Sequence, residues 1–270
     1  MLQSPDYVAS FAVYITFDDI NRTRTSMTER QDELLAKHDG RYFAIDKFNT
    51  GLAVLVKAEK LGKRGHVDFG VPSSPALFLN AARRSYFQIK DIDPALMFYI
   101  WQNGRIPVNH SKLFDYFELF ASHVVFSFTA LEAFANEAIP KEFEYKIDKK
   151  GETTLLKKPD IERIINLDEK LHSVLPQALG VATPKGKKPW QQYKLLKGMR
   201  DRIIHLKSVD RSASGPESES VWGMMLRSHG EPFCDYAHAM MGHYLPASNR
   251  RWYREYPYVT NESDKISGDQ

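Results

Sequence analysis

The chain contains one cysteine, Cys234, among 270 residues. That excludes an intrachain disulfide and fits a reducing compartment. A long uninterrupted apolar run is also missing. The most apolar stretch, FASHVVFSFTALEAFANEAI at residues 120–139, carries a histidine, two glutamates and an asparagine. That content is wrong for a helix facing lipid. The opening MLQSPDYVAS has no basic segment followed by an apolar one, so no secretory leader is expected. Together these absences predict a cytoplasmic chain with no membrane partner. There is no G-x-x-x-x-G-K-[ST] loop, no G-x-S-x-G elbow and no H-E-x-x-H pair. Phosphate-loop, serine-hydrolase and zinc-protease chemistry therefore find no support. No internal repeat is found.

What is present describes a globular protein. Hydrophobic residues make up 43% and charged residues 26%, with 16 Phe and 13 Tyr to fill an interior. The net charge of +3 is small, but it is unevenly placed. From Lys141 to Arg211 there are 17 lysines and arginines against 10 aspartates and glutamates. Such a segment attracts polyanions. A solvated basic surface is the competing reading.

The first hundred residues are the least legible. SFAVYITF reads as a strand and MTERQDELLAKH as a helix capped by Ser26 or Thr28. In YFAIDKFNTGLAVLVKAEK, strand and helix compete. LGKRGHVDFGVPSSP carries turn signals, and PALFLNAARRSYFQIKD is helical.

From Asn109 the pattern sharpens. Residues 109–140 predict one long helix, capped by Asn109 or Ser111 and stopped by Pro140. Phe117, Phe120, Val124, Phe128, Leu131, Ala135 and Ala138 form its apolar stripe. KEFEYKIDKKGETTLLKK predicts a hairpin turning near Lys149, Lys150 and Gly151. A second helix is expected from Pro159 or Asp160 to Gly180, then a polar linker, VATPKGKKP. A third helix is expected over 190–207, with Leu195, Met199, Ile203 and Leu206 as its apolar stripe. SVDRSASGPESES reads as a polar loop with nothing to bury, and EPFCDYAHAMMGHYL as a last helix. The expected organisation is an N-terminal region of unknown role at 1–108, α+β in character. A helical bundle follows at 109–258, then a disordered tail at 259–270.

The third helix carries the stretch MRDRIIHLK, residues 199–207. Asp201 and His205 are four apart and share a helical face, so the carboxylate can fix the imidazole tautomer and favour its protonated form. Arg200 precedes His205 by five residues, which sets them roughly 140° apart on an ideal helix. They converge only if the arginine folds round, the helix distorts, or a second copy lies opposite. Read alone, the three residues equally describe a surface ion pair beside a histidine, worth little energy.

Arg200-Asp201-Arg202-Ile203-Ile204-His205 resembles the R-x(4-6)-H signature of the HEPN superfamily, where the residue after the arginine is typically Asn, Asp or His. The upstream ALEAFANEAI, Ala130 to Ile139, is similar to the first long helix of many such proteins. The order of long helix, insertion, helix and motif helix is also similar. The resemblance covers about 109–245 and leaves out the first hundred residues. It implies a mainly α, HEPN-like bundle with a short β-hairpin insertion. It also implies a metal-independent endoribonuclease without cofactors, acting as a homodimer in a toxin or antiviral defence role, with an antitoxin or adjacent regulatory protein as a further partner.

In that reading the RNA 2′-hydroxyl attacks the adjacent phosphorus. His205 moves a proton, Arg200 stabilises the transition state, and Asp201 orients His205. Lys197, Arg202 and Lys207 would contact RNA. Some members of the superfamily are not nucleases and bind nucleotides, RNA or partner proteins; that is the alternative expectation.

Four further features have two readings each. Glu132 and Asn136 share a face of the long helix. They either support the motif, Glu132 pairing with Arg200 and Asn136 steadying the third helix, or form a structural network between helices. His229, Cys234, His238 and His243 tempt a zinc reading, but only Cys234 and His238 share a face; ordinary helix residues are expected. RRWYREYPY, residues 250–258, can stack on unpaired bases or pack back on the protein. KGKK, residues 185–188, is a solvated loop or a phosphate track.

Overall fold

The structure is a computed structural model that describes residues 11–14, 41, 44–46, 52–62, 65–92, 97–101, 104–149, 152–211, 219–245, 251–254 and 256–257. The helix expected at MTERQDELLAKH and the tail expected at 259–270 lie outside the described residues. The described residues are mainly helical, with small antiparallel β elements. They divide into two compact units, with the division between Leu77 and Phe78.

In the first unit, β1 (Phe11–Tyr14), β2 (Ala44–Asp46), β3 (Leu52–Lys60) and β4 (His66–Gly70) form one antiparallel sheet. β3 is its centre. Residues 52–56 of β3 pair with β2 and β1, and residues 56–60 pair with β4. The strand reading therefore wins over helix at GLAVLVKAEK, as the β-branched and aliphatic content favours. The turn signals of LGKRGH make the β3–β4 connection, where Gly62 and Gly65 take φ of +55° and +94°. Such angles suit residues without a Cβ. β4 itself was hidden inside those turn signals. The short helix α9 (Arg251–Arg254) packs on β2.

The division between units falls inside α1 (Ser74–Lys90). From Phe78 onward the second unit adds the hairpin β5 (Phe98–Trp101) and β6 (Gly104–Pro107), then the long helix α2 (His110–Ala138). Asn109 caps α2 as expected, its side chain accepting from the backbone N–H groups of Ser111 (2.9 Å) and Lys112 (3.3 Å). Next comes the hairpin β7 (Glu144–Lys149) and β8 (Glu152–Lys157), in the expected place.

The expected second helix is broken. α3 (Lys158–Ile164) ends where Ile165 becomes extended, and Asn166 caps α4 (Leu167–Glu169). A π-helical turn, Lys170–Val174, then leads into α5 (Leu175–Leu179). Pro176 has no N–H to give the turn before it, and a widened turn is a common way to absorb that. Gly180, at φ +66°, ends α5. α6 (Lys188–Ile204), a 3-10 turn (Ser208–Asp210), α7 (Val221–Arg227) and α8 (Phe233–Tyr244) complete the unit.

α2, α6 and α8 pack against one another and form the core. On α2, Phe120, Val124, Phe128, Leu131, Ala135 and Ala138 are buried, in line with the expected stripe. The buried face of α6 is Tyr193, Leu196 and Met199. The expected stripe was therefore rotated: Leu195 is 58% exposed and Leu206, beyond the helix end, is also exposed. By length and hydropathy alone α2 would pass as a membrane span. Its buried face, from Leu113 to Ala138, packs on α6 and α8, while Phe114 is exposed.

Buried His123 locks α2 to two other segments. Its Nδ1–H donates to the Ala82 carbonyl (3.0 Å), and its Nε2 accepts the Phe233 N–H at the start of α8 (3.1 Å). That pairing requires a neutral ring. Burial pushes its pKa down to about 4. The unfolded chain has an ordinary histidine value, so between about 6.5 and 4 it takes up a proton that the fold refuses. Stability is then full above this window and falls as pH drops through it, by roughly 3 kcal/mol in total. Urea titrations at several pH values should show this slope, and His123→Gln should lose it. The same slope in the variant would assign the effect elsewhere.

Candidate functional site

α2 and α6 bring several of the expected residues together. Phe128, Glu132 and Asn136 are successive turns of one face of α2, while Lys197, Arg200 and Asp201 come from α6. The Arg200 guanidinium lies over the Phe128 ring, 4.6 Å from its centroid. This is a cation–π contact. Arg200 Nη1 donates to Asp201 Oδ1 (3.1 Å), and Lys197 Nζ donates to Asp201 Oδ2 (2.7 Å). Arg200 makes no other hydrogen bond among the described residues, so one of its five donors is occupied.

Asp201 therefore serves two cations of its own helix, and it does not hold the His205 imidazole as expected. The reason is local. α6 ends at Ile204, and His205 is the residue after it, at φ −114° and ψ 74°. Its backbone N–H still donates to the Asp201 carbonyl (3.0 Å). Its imidazole makes no hydrogen bond to the Asp201 carboxylate, whose partners are Lys197 and Arg200. Among the described residues that ring has no hydrogen-bond partner, and no contact joins it to Arg200. It is exposed.

Two electrostatic consequences follow. Partial burial raises the Asp201 carboxyl, but hydrogen bonds from Lys197 and Arg200 outweigh it and hold the group below the ordinary aspartate value. The bond to Asp201 in turn raises Lys197. Arg200 and Asp201 are both partly exposed, so solvent screens the pair.

Of the two readings of Glu132 and Asn136, the structure favours the network between helices over direct support of the motif. Glu132 makes no ion pair with Arg200. Desolvation pushes its carboxyl up, opposed by the attraction of Arg200 and Lys170. Asn136 does not reach α6; its Oδ1 accepts from Lys170 Nζ (2.8 Å). Lys170 also donates to the Glu162 carbonyl (2.8 Å) and is buried. Burial lowers its pKa, against the attraction of Glu132 and Glu162.

Lys170 was missed in the sequence. Its signal was a lysine between Leu167, Leu171 and Val174, at helical core spacing. Nearby, the buried Tyr193 donates to the Asp168 carboxylate, which also pairs with Lys194 (3.2 Å). Desolvation pushes the Tyr193 phenol up, with Asp168 adding to the effect.

The second cluster lies just past α6. Arg202 is not free for phosphate: its Nη1 and Nη2 grip Asp210 at 3.2 and 2.8 Å, and Nη2 also donates to the Glu219 carbonyl (3.2 Å). Asp210 has no exposed side-chain surface and takes two more donors, the N–H groups of Lys207 (2.6 Å) and Val221 (2.7 Å). The loop read as having nothing to bury therefore contains the residue that roots this end of the bundle. Lys207 is exposed, as are Lys185, Lys187 and Lys188 of the KGKK segment. Leu206, Lys207, Ser208 and Arg211 line an open hollow of about 320 Å³ directly after His205.

Of the remaining candidates, Trp252 in RRWYREYPY is fully buried and cannot stack on a base. The His243 ring bonds the Ala182 carbonyl (2.7 Å), and Cys234 is buried. Among the described residues no three His, Cys, Asp or Glu side chains gather as a metal ligand set. Compared with family models, curated proteins and solved structures, the chain matches none.

Proposed function

We propose that the protein is a metal-independent endoribonuclease of the HEPN type, with Arg200 and His205 as its reacting groups. The reading rests on the MRDRIIH motif and the upstream EAF-x-N helix. One observation supports it above the others: both groups keep chemistry to offer. Among the described residues, Arg200 sits over Phe128 with four donors unoccupied, and the exposed His205 imidazole has no hydrogen-bond partner.

In the reaction the 2′-hydroxyl attacks phosphorus and the bond to the leaving 5′-oxygen breaks. His205 takes the proton from the attacking oxygen or gives one to the leaving oxygen. Arg200 donates to the non-bridging oxygens as charge builds on them. Asp201 keeps the guanidinium in place. Among the described residues no hydrogen bond joins Arg200 to His205, so the active form is a homodimer in which the arginine of one protomer serves the histidine of the other. A toxin or defence role fits such an enzyme.

The test is incubation of purified protein with total RNA in excess EDTA. Cleavage to fragments ending in 2′,3′-cyclic phosphate and 5′-hydroxyl is expected. Cleavage abolished by EDTA, or fragments ending in 5′-phosphate, would assign a different mechanism. Intact RNA throughout would favour a binding module in place of an enzyme.

A further inference from the structure

We propose that Trp222 is a stacking platform for an unpaired base of the RNA strand that enters at the end of α6. The proposal rests on the reading of that end as an RNA site and names the form of RNA it accepts. Trp222 stands in the first turn of α7 and is 38% exposed. Its orientation is fixed on two sides. The indole N–H donates to the Asp210 carbonyl (2.9 Å), and the ring packs on Phe117 of α2, centroids 5.2 Å apart. An exposed aromatic held this way loses little freedom when something stacks on it.

Asp210 ties the platform to the candidate site. Its carbonyl holds Trp222, and its carboxylate holds the Lys207 N–H, two residues after His205. The hollow beside it is lined by Lys207 and Arg211. Exposed carboxylates on these segments are Glu219, three residues before Trp222, and Asp115 and Glu118, which neighbour Phe117 in sequence. A second aromatic, Phe114, stands one turn before Phe117 and is 56% exposed.

An exposed ring fixed to a turn that carries two cations, Lys207 and Arg211, suits a ligand with both π faces and negative charge. An apolar protein segment would instead strip water from those cations without return. Unpaired nucleotides have the required faces, whereas paired bases keep theirs inside the duplex. The geometry thus selects single-stranded RNA over duplex.

The probe is a short, fluorescein-labelled 2′-O-methyl oligoribonucleotide, which binds but cannot be cut, used with the full chain in EDTA. Trp222→Ala, checked for folding by circular dichroism, is expected to weaken binding roughly 5- to 100-fold, the worth of one stacked base. Trp222→Phe is expected to keep most of the affinity. With unlabelled oligonucleotide, wild type should lose indole fluorescence on binding and Trp222→Phe should lose most of that signal. A purely structural role would not move the signal. The duplex of the same sequence should bind more weakly.

Unchanged affinity in Trp222→Ala, equal quenching in Trp222→Phe, equal duplex binding, or no binding by wild type would each overturn the proposal. The last of these would leave the face to a protein partner. Wild type that binds with quenching yet leaves unmodified RNA intact would keep the platform and remove the nuclease.

Discussion

His205→Ala is expected to lower RNA cleavage by roughly 10²–10⁴-fold, the usual worth of a positioned proton carrier, while the melting temperature stays at the wild-type value. The second half follows from its position. His205 is an exposed residue past the last turn of α6, and its ring contacts nothing in its own chain among the described residues. Removing it leaves no hole and no orphaned partner.

Arg200→Ala should lose a similar factor, about 10²–10³-fold for a lost charge-stabilising donor, but with a modest stability cost. The guanidinium covers the Phe128 ring and shares Asp201 with Lys197. Arg200→Lys keeps the charge and loses the fork, so it should recover stability more than activity. Mixing the two alanine variants probes the composite site. In a mixed dimer one site pairs the intact arginine of one protomer with the intact histidine of the other. Random exchange should then restore about one quarter of wild-type activity. Variants that cleave at wild-type rates would take both residues out of the mechanism. Loss of activity without restoration on mixing would place both groups in one chain.

The parts legible in the sequence were those set by local pattern. The cap at Asn109, the stripe of α2, the β7–β8 hairpin and the existence of α6 and α8 all follow from residues within a few positions of each other. The parts that were not legible depend on contacts distant in sequence. The periodicity of α6 runs on past Ile204, yet the helix stops there, as Asp210 draws in the Lys207 N–H and the Arg202 side chain. Beyond that stop stands His205, while Asp201, inside the helix, bonds Lys197 and Arg200. Lys170 reads as one more helix residue until Asn136, 34 positions earlier, accepts its proton. α7 escaped notice because seven residues, VWGMMLR, are too few for a periodic signal. Its anchor is again Asp210, through the Val221 N–H.

Asp210→Ala is expected to be the most destabilising single change at this end of the molecule, lowering the melting temperature by roughly 10 °C. The carboxylate is fully enclosed and accepts four N–H donors: two from Arg202, one from Lys207 and one from Val221. Alanine leaves all four without an acceptor, and the guanidinium, 15% exposed, loses its counter-charge in a place water barely reaches. Asp210→Asn keeps the shape but turns an amide N–H₂ towards donors, so it should fall between wild type and alanine.

Burial alone would raise the Asp210 carboxyl. The N–H groups of Val221 and Lys207 and the Arg202 fork outweigh it and hold the group below the ordinary aspartate value. Its stabilising contribution is therefore complete above that ordinary value and is lost as pH falls below it. At neutral pH the loss in the alanine variant should be greatest, and in acid the two proteins should converge. Because the residues from 205 to 211 hang from this carboxylate, the variant should also cut RNA more slowly at temperatures where it is still folded. Thermal melts at pH 7 and in acid check the first effect, and RNA cleavage at low temperature checks the second. A variant that melts within a degree or two of wild type at pH 7 would mean that Asp210 does not root this end of the bundle.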